Sequence, residues 1–373
     1  MSRKISIIQL FDAYPVFYQP YIPPVVDALR AQSEIDLQVV AIRKGDEKSP
    51  IVEVLPWVIK RKLIAKLLQR LVKRYHRLDY VAIKALREKT DIIHLQHSYL
   101  HSEVVQLLQR PRESRPKVII TLRGADTYVR PWERDSWKDF YRDHGNQVDA
   151  FITMSEHQRQ YLHTKWGVEK ERIHVIPISF GASFQVLPKT PAPDTLNLVS
   201  VFRMCWEKNI AGNLQFVKAI KDRNIPVRYS IYGDGPDLGQ VYYLRDQYGL
   251  TEEVQVFGKV PNASLKEKLR SYDFILQLSH SEAFPTSVLE AQSFGLPAIV
   301  SNNGGLPEMI QDHWNGVVVP LDKMMAGVQE VILIWKDAAV YKTMSENAIA
   351  QTHQKYTIVK EVEQLMALYK SVL

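Results

Sequence analysis

The chain has 373 residues, of which 46% are hydrophobic and 24% are charged. That composition fits a globular protein, the length suggests two domains, and no apolar run is long enough for a transmembrane helix. Cys205 is the only cysteine, which excludes an intramolecular disulfide and a zinc site built from cysteines. The first apolar run is too short for a signal peptide, so we expect a cytoplasmic protein.

The formal net charge is +7, but the basic residues are unevenly distributed. Residues 57–89 hold eleven Lys or Arg against Asp79 and Glu88. Such a cluster indicates an anionic partner, which is a lipid headgroup, a nucleic acid or an acidic substrate.

Short β-branched runs alternate with stretches of helical spacing along the whole chain. Near-continuous apolar strands that alternate with helices predict parallel sheets covered on both faces, in α/β domains with right-handed crossovers. The first series of predicted strands is Ile5–Leu10, Leu37–Ile42, Asp91–Gln96, Lys117–Leu122, Ala150–Met154 and His174–Ile178. The second series is Leu196–Phe202, Arg228–Tyr232, Val254–Phe257, Phe274–Leu278, Ala298–Ser301 and Val317–Val319.

Residues 187–194 separate the two series and contain three prolines, which indicates a stiff linker. We therefore predict one α/β domain over 1–186 and a second over 195–355. A helix over 356–373 is expected to return to the first domain. Ligands of such sheets bind at the carboxyl ends of the strands, so two facing domains would form a cleft.

The most informative stretch runs from Ser279 to Pro297. A strand ends near Leu278, a short loop carries Glu282, and Pro285 suits the first position of a helix. The N–H groups of Thr286, Ser287 and Val288 would then form an anion site at the helix start. Glu290, further along that helix, could bind a diol with both carboxylate oxygens. An ordinary strand-to-helix turn with a solvated glutamate explains the same residues.

Two cations, Arg203 and Lys208, follow the first strand of the second domain. In that position they could hold a phosphate whose charge grows as its bond to a sugar breaks. Two exposed surface cations are the alternative interpretation. The glycine turns at 233–236 and 302–308 are weaker signals, because a tight turn accounts for them as well as a close ligand does.

Together these motifs resemble the retaining glycosyltransferases of family 4, which have the GT-B fold of two facing Rossmann-like, doubly wound domains. The Glu282–Glu290 pair is similar to the family's E-x7-E motif, within the sequence EAFPTSVLEAQSFGLP. The resemblance is strong over about 195–320 and looser before it. Further matching motifs occur in the family's order: Gly233–Pro236, Phe257–Val260, Gly304–Gly305, Pro307–Glu308 and Asn315–Gly316.

The resemblance implies a role for each matching residue. Glu290 would bind the donor ribose, and Arg203 and Lys208 would neutralise the diphosphate. The resemblance also implies that Glu282 and the backbone of Phe284, Pro285, Thr286 and Ser287 contact the sugar and the phosphates of the donor. Gly258 and Lys259 would lie near the base. The implied donor is a nucleoside diphosphate sugar, UDP- or GDP-linked, and the implied acceptor is a glycan or a lipid-linked molecule. No metal or other cofactor is expected, in agreement with the lack of a D-x-D motif.

The amino-terminal half departs from the family pattern. Where family members often carry H-G-x-D, this chain has Arg123-Gly-Ala-Asp126. An arginine cannot act as a base near neutral pH, but it could bind a phosphate or an anionic sugar. Arg123, Asp126 and His97 are therefore the candidate acceptor-side residues, with His94 as a second histidine, and a structural role is the alternative for both histidines.

From Trp57 to Leu78 the sequence predicts a basic amphipathic helix. Its apolar residues Ile59, Leu63, Leu67, Leu71 and Tyr75 recur every fourth position, and cations fill most of the remaining circumference. Two interpretations stay open. The helix lies on an anionic membrane surface, which would place the protein on the inner face of the cell membrane, or its apolar stripe packs on the sheet.

Two other function classes fit parts of the sequence. A nucleotide-sugar 2-epimerase uses the same two-domain architecture, but the ordered family 4 motifs argue against it. A nucleotide-binding scaffold with a basic nucleic-acid-binding surface would explain the basic segment, yet no nucleic-acid-binding motif accompanies that segment. We expect no nucleic-acid partner.

Overall fold

The structure is a computed structural model that describes residues 3–180 and 186–373. The chain divides into two compact units. Unit 1 consists of Met1–Gly181 with Ile358–Leu373, and unit 2 consists of Ala182–Thr357. No helix within the described residues is long and apolar enough to cross a membrane.

The centre of unit 1 is a seven-stranded sheet in which every strand pairs in parallel. Its strands are β1 (Ile5–Tyr14), β2 (Ile35–Lys44), β3 (Val52–Val54), β4 (Ile92–Leu95), β5 (Lys117–Thr121), β6 (Ala150–Thr153) and β7 (Ile173–Val175). The spatial order is β3-β2-β1-β4-β5-β6-β7, so the direction of winding reverses between β1 and β4.

Except for residues 45–51, which join β2 to β3 and form no helix, the connections between these strands are made by helices. They are α1 (Ile22–Arg30), α2 (Val58–Leu71), α3 (Tyr80–Arg87), α4 (Val105–Leu108), α5 (Ala125–Tyr128), α6 (Arg130–Glu133), α7 (Asp135–His144) and α8 (Glu156–Trp166). The last helix of the chain, Ile358–Ser371, also belongs to unit 1 and packs against α1. Its Tyr369 is fully buried and accepts a hydrogen bond from Gln9 of β1 at 3.2 Å.

Unit 2 contains a six-stranded parallel sheet of order β10-β9-β8-β11-β12-β13. The strands are β8 (Leu196–Val201), β9 (Val227–Tyr232), β10 (Val254–Gly258), β11 (Phe274–Gln277), β12 (Ala298–Ser301) and β13 (Gly316–Val319). The helices are α9 (Ile210–Lys221), α10 (Leu238–Gln247), α11 (Asn262–Leu269), α12 (Thr286–Ser293), α13 (Leu306–Met309), α14 (Met324–Lys336) and α15 (Ala338–Lys355). The remaining helix, Ile358–Ser371, is α16.

The central strands of both sheets are buried on both faces. All four residues of β11 and of β12 are buried, as are those of β4 and β6. This is the burial that near-continuous apolar strands predict, because helices cover a parallel sheet on each side. Each strand predicted from the sequence has a counterpart, and β3 is an additional strand.

Residues 187–194 run along unit 2. The Lys189 amide donates to Ser345 Oγ and the Ala192 amide donates to the Asp273 carboxylate, each at 2.9 Å. These two hydrogen bonds attach the stretch to the rest of unit 2, to which it belongs.

The predicted Trp57–Leu78 helix is wrong at its end. α2 ends at Leu71, because Val72 is extended with φ −129° and the chain turns back. The turn allows Leu78 to reach the core, and Gln69 Nε2 donates to the Leu78 carbonyl at 2.6 Å. Asp79 then caps α3 by accepting from the Ala82 amide at 2.9 Å.

Candidate functional site

The candidate site in unit 2 lies where the strand order reverses, between β8 and β11. In parallel sheets, ligands bind outside the carboxyl ends of the strands at this point. Two loops begin there, one from β8 to α9 and one from β11 to α12. The predicted cations follow β8, and both predicted glutamates follow β11.

Glu282 is buried at the centre of this edge and accepts three side-chain hydrogen bonds on one oxygen. Lys208 Nζ forms an ion pair with Oε1 of Glu282. Gln277 Nε2 donates to the same oxygen at 2.6 Å, and Ser279 Oγ donates at 3.1 Å. The structure thus brings Lys208 and Glu282 together, and all three side-chain donors that the described residues offer Glu282 reach the same carboxylate oxygen.

The backbone holds the two loops side by side. The His280 amide donates to the Glu207 carbonyl at 2.8 Å. Asn213 of α9 joins the same loops, because its Nδ2 donates to the Lys208 carbonyl at 2.8 Å and its Oδ1 accepts from the Leu278 amide at 3.1 Å. Lys208 therefore sits on a fixed backbone next to Glu282.

Gly304 fixes the other side of the Glu282 loop. Its φ of +62° suits glycine, and a Cβ at this position would lie 2.1 Å from the Glu282 carbonyl oxygen. The neighbouring Gly305 amide donates to that oxygen at 2.9 Å. This glycine is therefore required for the close approach of two backbones, one of which carries Glu282.

α12 starts four residues after Glu282, with Pro285 as its N-cap. Thr286 and Ser287 form its first turn and are half-buried, and N–H groups at these positions have no partner within a helix. Phe284 is buried and its ring contacts the Tyr356 ring at a centroid distance of 5.2 Å. The loop therefore presents backbone donors, as well as the positive end of the helix dipole, to an anion.

Glu290 lies in the second turn of α12 and is buried. Asn262, the first residue of α11, donates its Nδ2 to both carboxylate oxygens, at 3.0 and 3.2 Å. Burial raises the pKa of Glu290 above its usual value, and the hydrogen bond from Asn262 opposes that rise. Asn262 thereby joins the end of the connection from Gly258, the last residue of β10, through Lys259 to Glu290 of α12.

Lys259 and Arg203 are the exposed cations of the predicted set. Lys259 forms an ion pair with Asp234 at 3.3 Å, whereas the described residues offer Arg203 no ion pair. The backbone beside Arg203 is fixed, since the Met204 amide donates to the Asp234 carbonyl at 3.0 Å. Gly233 permits this packing, because a Cβ there would lie 1.9 Å from the Phe202 carbonyl oxygen.

In unit 1 the candidates lie at the carboxyl ends of two adjacent strands, β4 and β5. Asp126 is buried and accepts from the amides of Arg123 at 2.9 Å and Gly124 at 3.0 Å. Its carboxylate therefore organises the turn that begins α5. Arg123 is half-buried, donates Nη2 to Gln96 Oε1 at 2.9 Å, and lies 5.5 Å from the centre of the Tyr21 ring.

Both histidines near this edge are buried. His94 has a partner at each ring nitrogen, Tyr369 at 2.8 Å and Thr121 at 2.7 Å. His97 contacts Gln19 through Nε2 at 3.1 Å and stacks on Tyr99 at 4.8 Å. Burial, with a further contribution from Arg123, lowers the pKa of each histidine to about 3, so both are neutral at physiological pH.

Sequence reasoning missed the polar residues that position the predicted ones. Gln277, Ser279 and Asn213 hold Glu282 and Lys208, and Asn262 holds Glu290. Each stands at the end of a strand or at the start of a helix, where a polar residue is ordinary. A polar residue, Gln277, at the last position of an otherwise apolar buried strand was the one available signal.

One group of potential metal ligands lies elsewhere in unit 2. Atoms of Asp312, His313 and Glu330 lie within 4.8 Å of one another. Asp312 and His313 precede β13, so they stand at the amino edge of the parallel sheet, opposite the edge that carries Glu282. His313 Nε2 lies 2.7 Å from Glu330 Oε1.

Two family models match the chain. Residues 18–179 match the glycosyl transferase 4-like domain, and residues 187–351 match the glycosyl transferases group 1. Among solved structures, HepE of Anabaena in complex with UDP and glucose superposes with a TM-score of 0.74 at 16% identity, covering 98% of this chain and all of HepE. Sucrose-phosphate synthase of Thermosynechococcus elongatus gives 0.73 at 17% identity and covers 99% of each chain.

Curated relatives are similar at low identity. The chain is 25% identical over 304 residues to the N-acetyl-alpha-D-glucosaminyl L-malate synthase of Bacillus anthracis, covering 78% of this chain and 77% of that protein. It is 26% identical over 228 residues to the gpi3 subunit of the phosphatidylinositol N-acetylglucosaminyltransferase of Schizosaccharomyces pombe. That match covers 61% of this chain and only 50% of the relative.

The two parallel sheets, the reversal points and both family models define the class. The chain belongs to the glycosyltransferases of the GT-B fold, of the family 4 type.

Proposed function

We propose that this protein transfers a sugar from a nucleoside diphosphate sugar, UDP- or GDP-linked, to a glycan or lipid-linked acceptor. We further propose that the sugar keeps its anomeric configuration and that no metal takes part. The observation that carries the proposal is the pairing of Lys208 with Glu282 beside the start of α12, with Glu290 on the same helix.

The start of α12 is the proposed site for the diphosphate. The amides of Thr286 and Ser287 would donate to phosphate oxygens. Lys208 retains donors for the phosphate, because an ammonium has three N–H groups and its pairing with Glu282 uses one. Arg203 is the exposed cation that would close on the diphosphate from the β8–α9 loop.

The two glutamates are proposed to bind different parts of the donor. All three observed donors to Glu282 reach Oε1, so Oε2 would accept from a hydroxyl of the transferred sugar. Glu290 would accept from the ribose diol, since a carboxylate has about four acceptor positions and Asn262 uses two. The base would then lie towards Gly258 and Lys259, whose loop Asn262 connects to Glu290.

In the proposed reaction, the bond between the anomeric carbon and the β-phosphate oxygen breaks. A bond from that carbon to the acceptor hydroxyl oxygen forms on the same face. The hydroxyl proton passes to the leaving phosphate, and the nucleoside diphosphate is released. Lys208 and Arg203 would stabilise the charge that grows on the phosphate, which is the kind of interaction that lowers the barrier most.

We propose that these cations take the place of a divalent metal. The sequence has no D-x-D motif to ligate one beside the diphosphate. The Asp312, His313 and Glu330 group stands at the opposite edge of the sheet, where it could not contact a donor held by α12.

The acceptor is proposed to meet the protein through Arg123, with Asp126 shaping the turn that carries it. The guanidinium suits an anionic acceptor, and the names of two relatives include such molecules, malate and phosphatidylinositol. His97 would contribute a neutral ring, because its lowered pKa prevents protonation. We propose that the reaction takes place in the cytoplasm, on the inner face of the cell membrane.

A thermal-shift screen of UDP, GDP and their sugars tests the donor assignment. A ligand at a hundred times its dissociation constant stabilises the folded state by roughly 2.7 kcal/mol. Turnover of the identified donor should persist in EDTA, and NMR of the first product should show the donor's anomeric configuration. Loss of turnover in EDTA would contradict metal independence, and inversion of the anomeric configuration would contradict retention. Sugar release without an acceptor would favour an epimerase.

A further inference from the structure

α2 carries an apolar row on its outer side. Ile59, Leu63, Leu67 and Leu71 recur every fourth residue, so they lie along one face, and between 57% and 70% of each is exposed. Trp57, immediately before the helix, is also exposed. Apolar side chains exposed singly are ordinary, but a continuous row along a whole helix usually marks an interaction site.

The orientation of α2 is fixed by its other side. Arg61 and Ala65 are buried, and Arg61 pairs with Glu103 at 3.1 Å. Leu68 packs against the unit 1 core, and Gln69 bonds to the Leu78 carbonyl. The helix therefore cannot roll to hide the row without breaking an ion pair and exposing its packed residues.

Cations line the same outer side. Lys62, Lys66 and Arg70 form a parallel row, each one residue before a member of the apolar row, and all are exposed. No carboxylate within the described residues pairs with them, and the sequence has no Asp or Glu from residue 54 to 78. Surface cations elsewhere do find partners, as Lys218 does with Asp222.

We propose that α2 docks this protein on an anionic lipid bilayer, with the apolar row in the acyl boundary and the flanking cations at the headgroups. An interfacial helix has this arrangement, and a tryptophan such as Trp57 favours the interface. Nucleic acid fits less well, because a phosphate backbone would leave the leucines in water. The proposal goes beyond the transfer reaction, which α2 residues do not perform.

The size of the row also favours a bilayer over a protein partner. α2 has 14 residues and is therefore about 21 Å long. One such helix face falls well short of the roughly 800 Å² per partner that a stable protein interface buries. A bilayer has no such minimum, since each inserted side chain and each nearby cation adds to the affinity.

Vesicle flotation with two double variants tests the proposal. The wild type should float with vesicles containing phosphatidylglycerol, and less with pure phosphatidylcholine or in high salt. Leu63→Ala with Leu67→Ala should weaken binding on the order of tenfold by removing inserted methylenes. Lys62→Ala with Lys66→Ala should weaken binding at low salt by roughly 30-fold and reduce the salt dependence of binding.

Matched controls come from exposed residues outside α2. Leu333→Ala with Val359→Ala truncates two exposed apolar residues, and Lys165→Ala with Lys342→Ala removes two exposed cations. Neither control should change flotation. Donor turnover in solution is measured for every variant, because it should stay at the wild-type level whether or not α2 binds lipid.

Three outcomes would overturn the proposal. The first is that the wild type fails to float with anionic vesicles, or floats equally with neutral ones. The second is that the α2 variants float as well as the controls. The third is that α2 variants lose binding to nucleic acid, or lose self-association in light scattering, while vesicle binding is absent.

Discussion

Substituting Gly304 by alanine is a sharp test of whether the Glu282 loop must stay where the structure has it. A Cβ at Gly304 would lie 2.1 Å from the Glu282 carbonyl oxygen, so the two backbones must separate by on the order of 1 Å to reach ordinary contact. That shift also weakens the bond from the Gly305 amide to the same oxygen. A displacement of this size in a catalytic site can lower the rate roughly 100-fold.

Gly249 provides a matched control. It has the same φ of +62°, but no atom lies within 4 Å of the position its Cβ would take. Gly249→Ala should therefore lower the free energy of unfolding only by the cost of placing an alanine in the left-handed backbone conformation, about 1–2 kcal/mol. Gly304→Ala adds an overpacking cost of about 1–3 kcal/mol to the same backbone cost.

Urea denaturation and donor turnover measured on both variants separate the two effects. We expect Gly249→Ala to keep wild-type kcat/KM, and Gly304→Ala to fall roughly 100-fold at a temperature where both are folded. If Gly304→Ala kept the kcat/KM of the Gly249→Ala variant, the position of the Glu282 loop would have no part in the reaction.

Two further substitutions test the site. Lys208→Met should lower kcat by roughly 10²–10³ with little change in KM, because the Lys208 ammonium acts on charge that grows in the transition state. The control Lys218→Met, on α9, should leave kcat unchanged. Equal kcat for both variants in steady-state kinetics would remove Lys208 from the mechanism. Asn262→Ala should weaken nucleotide affinity roughly two- to tenfold at neutral pH. In this variant, the loss of affinity that occurs on acidification should begin at a higher pH than in the wild type. The shift is to higher pH because Asn262 stabilises the charged form of Glu290, so that removal of Asn262 raises further a pKa that burial has already raised. An unchanged pH dependence of nucleotide affinity in calorimetry would contradict this coupling.

The fold was largely predictable from the sequence, because a buried parallel strand is a short run of consecutive apolar residues. β4, β6, β11 and β12 are apolar runs, and each follows a helical stretch. β3 was missed since three residues, Val52–Val54, at the edge of a sheet carry no such pattern.

The apolar spacing of α2 was visible in the sequence, but its orientation was not. Periodicity shows that one face is apolar and cannot show whether that face is buried. Here a charged residue, Arg61, points inward because Glu103 is there to receive it, and the leucine row points outward. The end of the helix at Leu71 depends on the burial of Leu78, a contact within the folded unit.

The candidate residues of unit 2 were predictable because they belong to a contiguous motif. The residues that hydrogen-bond to them were not predictable, since Asn262 and Gln277 reach Glu290 and Glu282 from other elements. The same holds in unit 1, where His94 looked like a site residue but has both ring nitrogens bonded by Tyr369 and Thr121, from α16 and β5.

Calorimetric titration of UDP and GDP against the wild type and Glu290→Ala is the most direct measurement of the central claim, that unit 2 binds a nucleoside diphosphate along α12. We predict saturable binding of one of the two nucleotides by the wild type. We predict at least roughly tenfold weaker binding by a folded Glu290→Ala variant, because a charge-assisted contact to the ribose is lost. Absence of binding of either nucleotide by the wild type, or undiminished affinity in Glu290→Ala, would contradict the account.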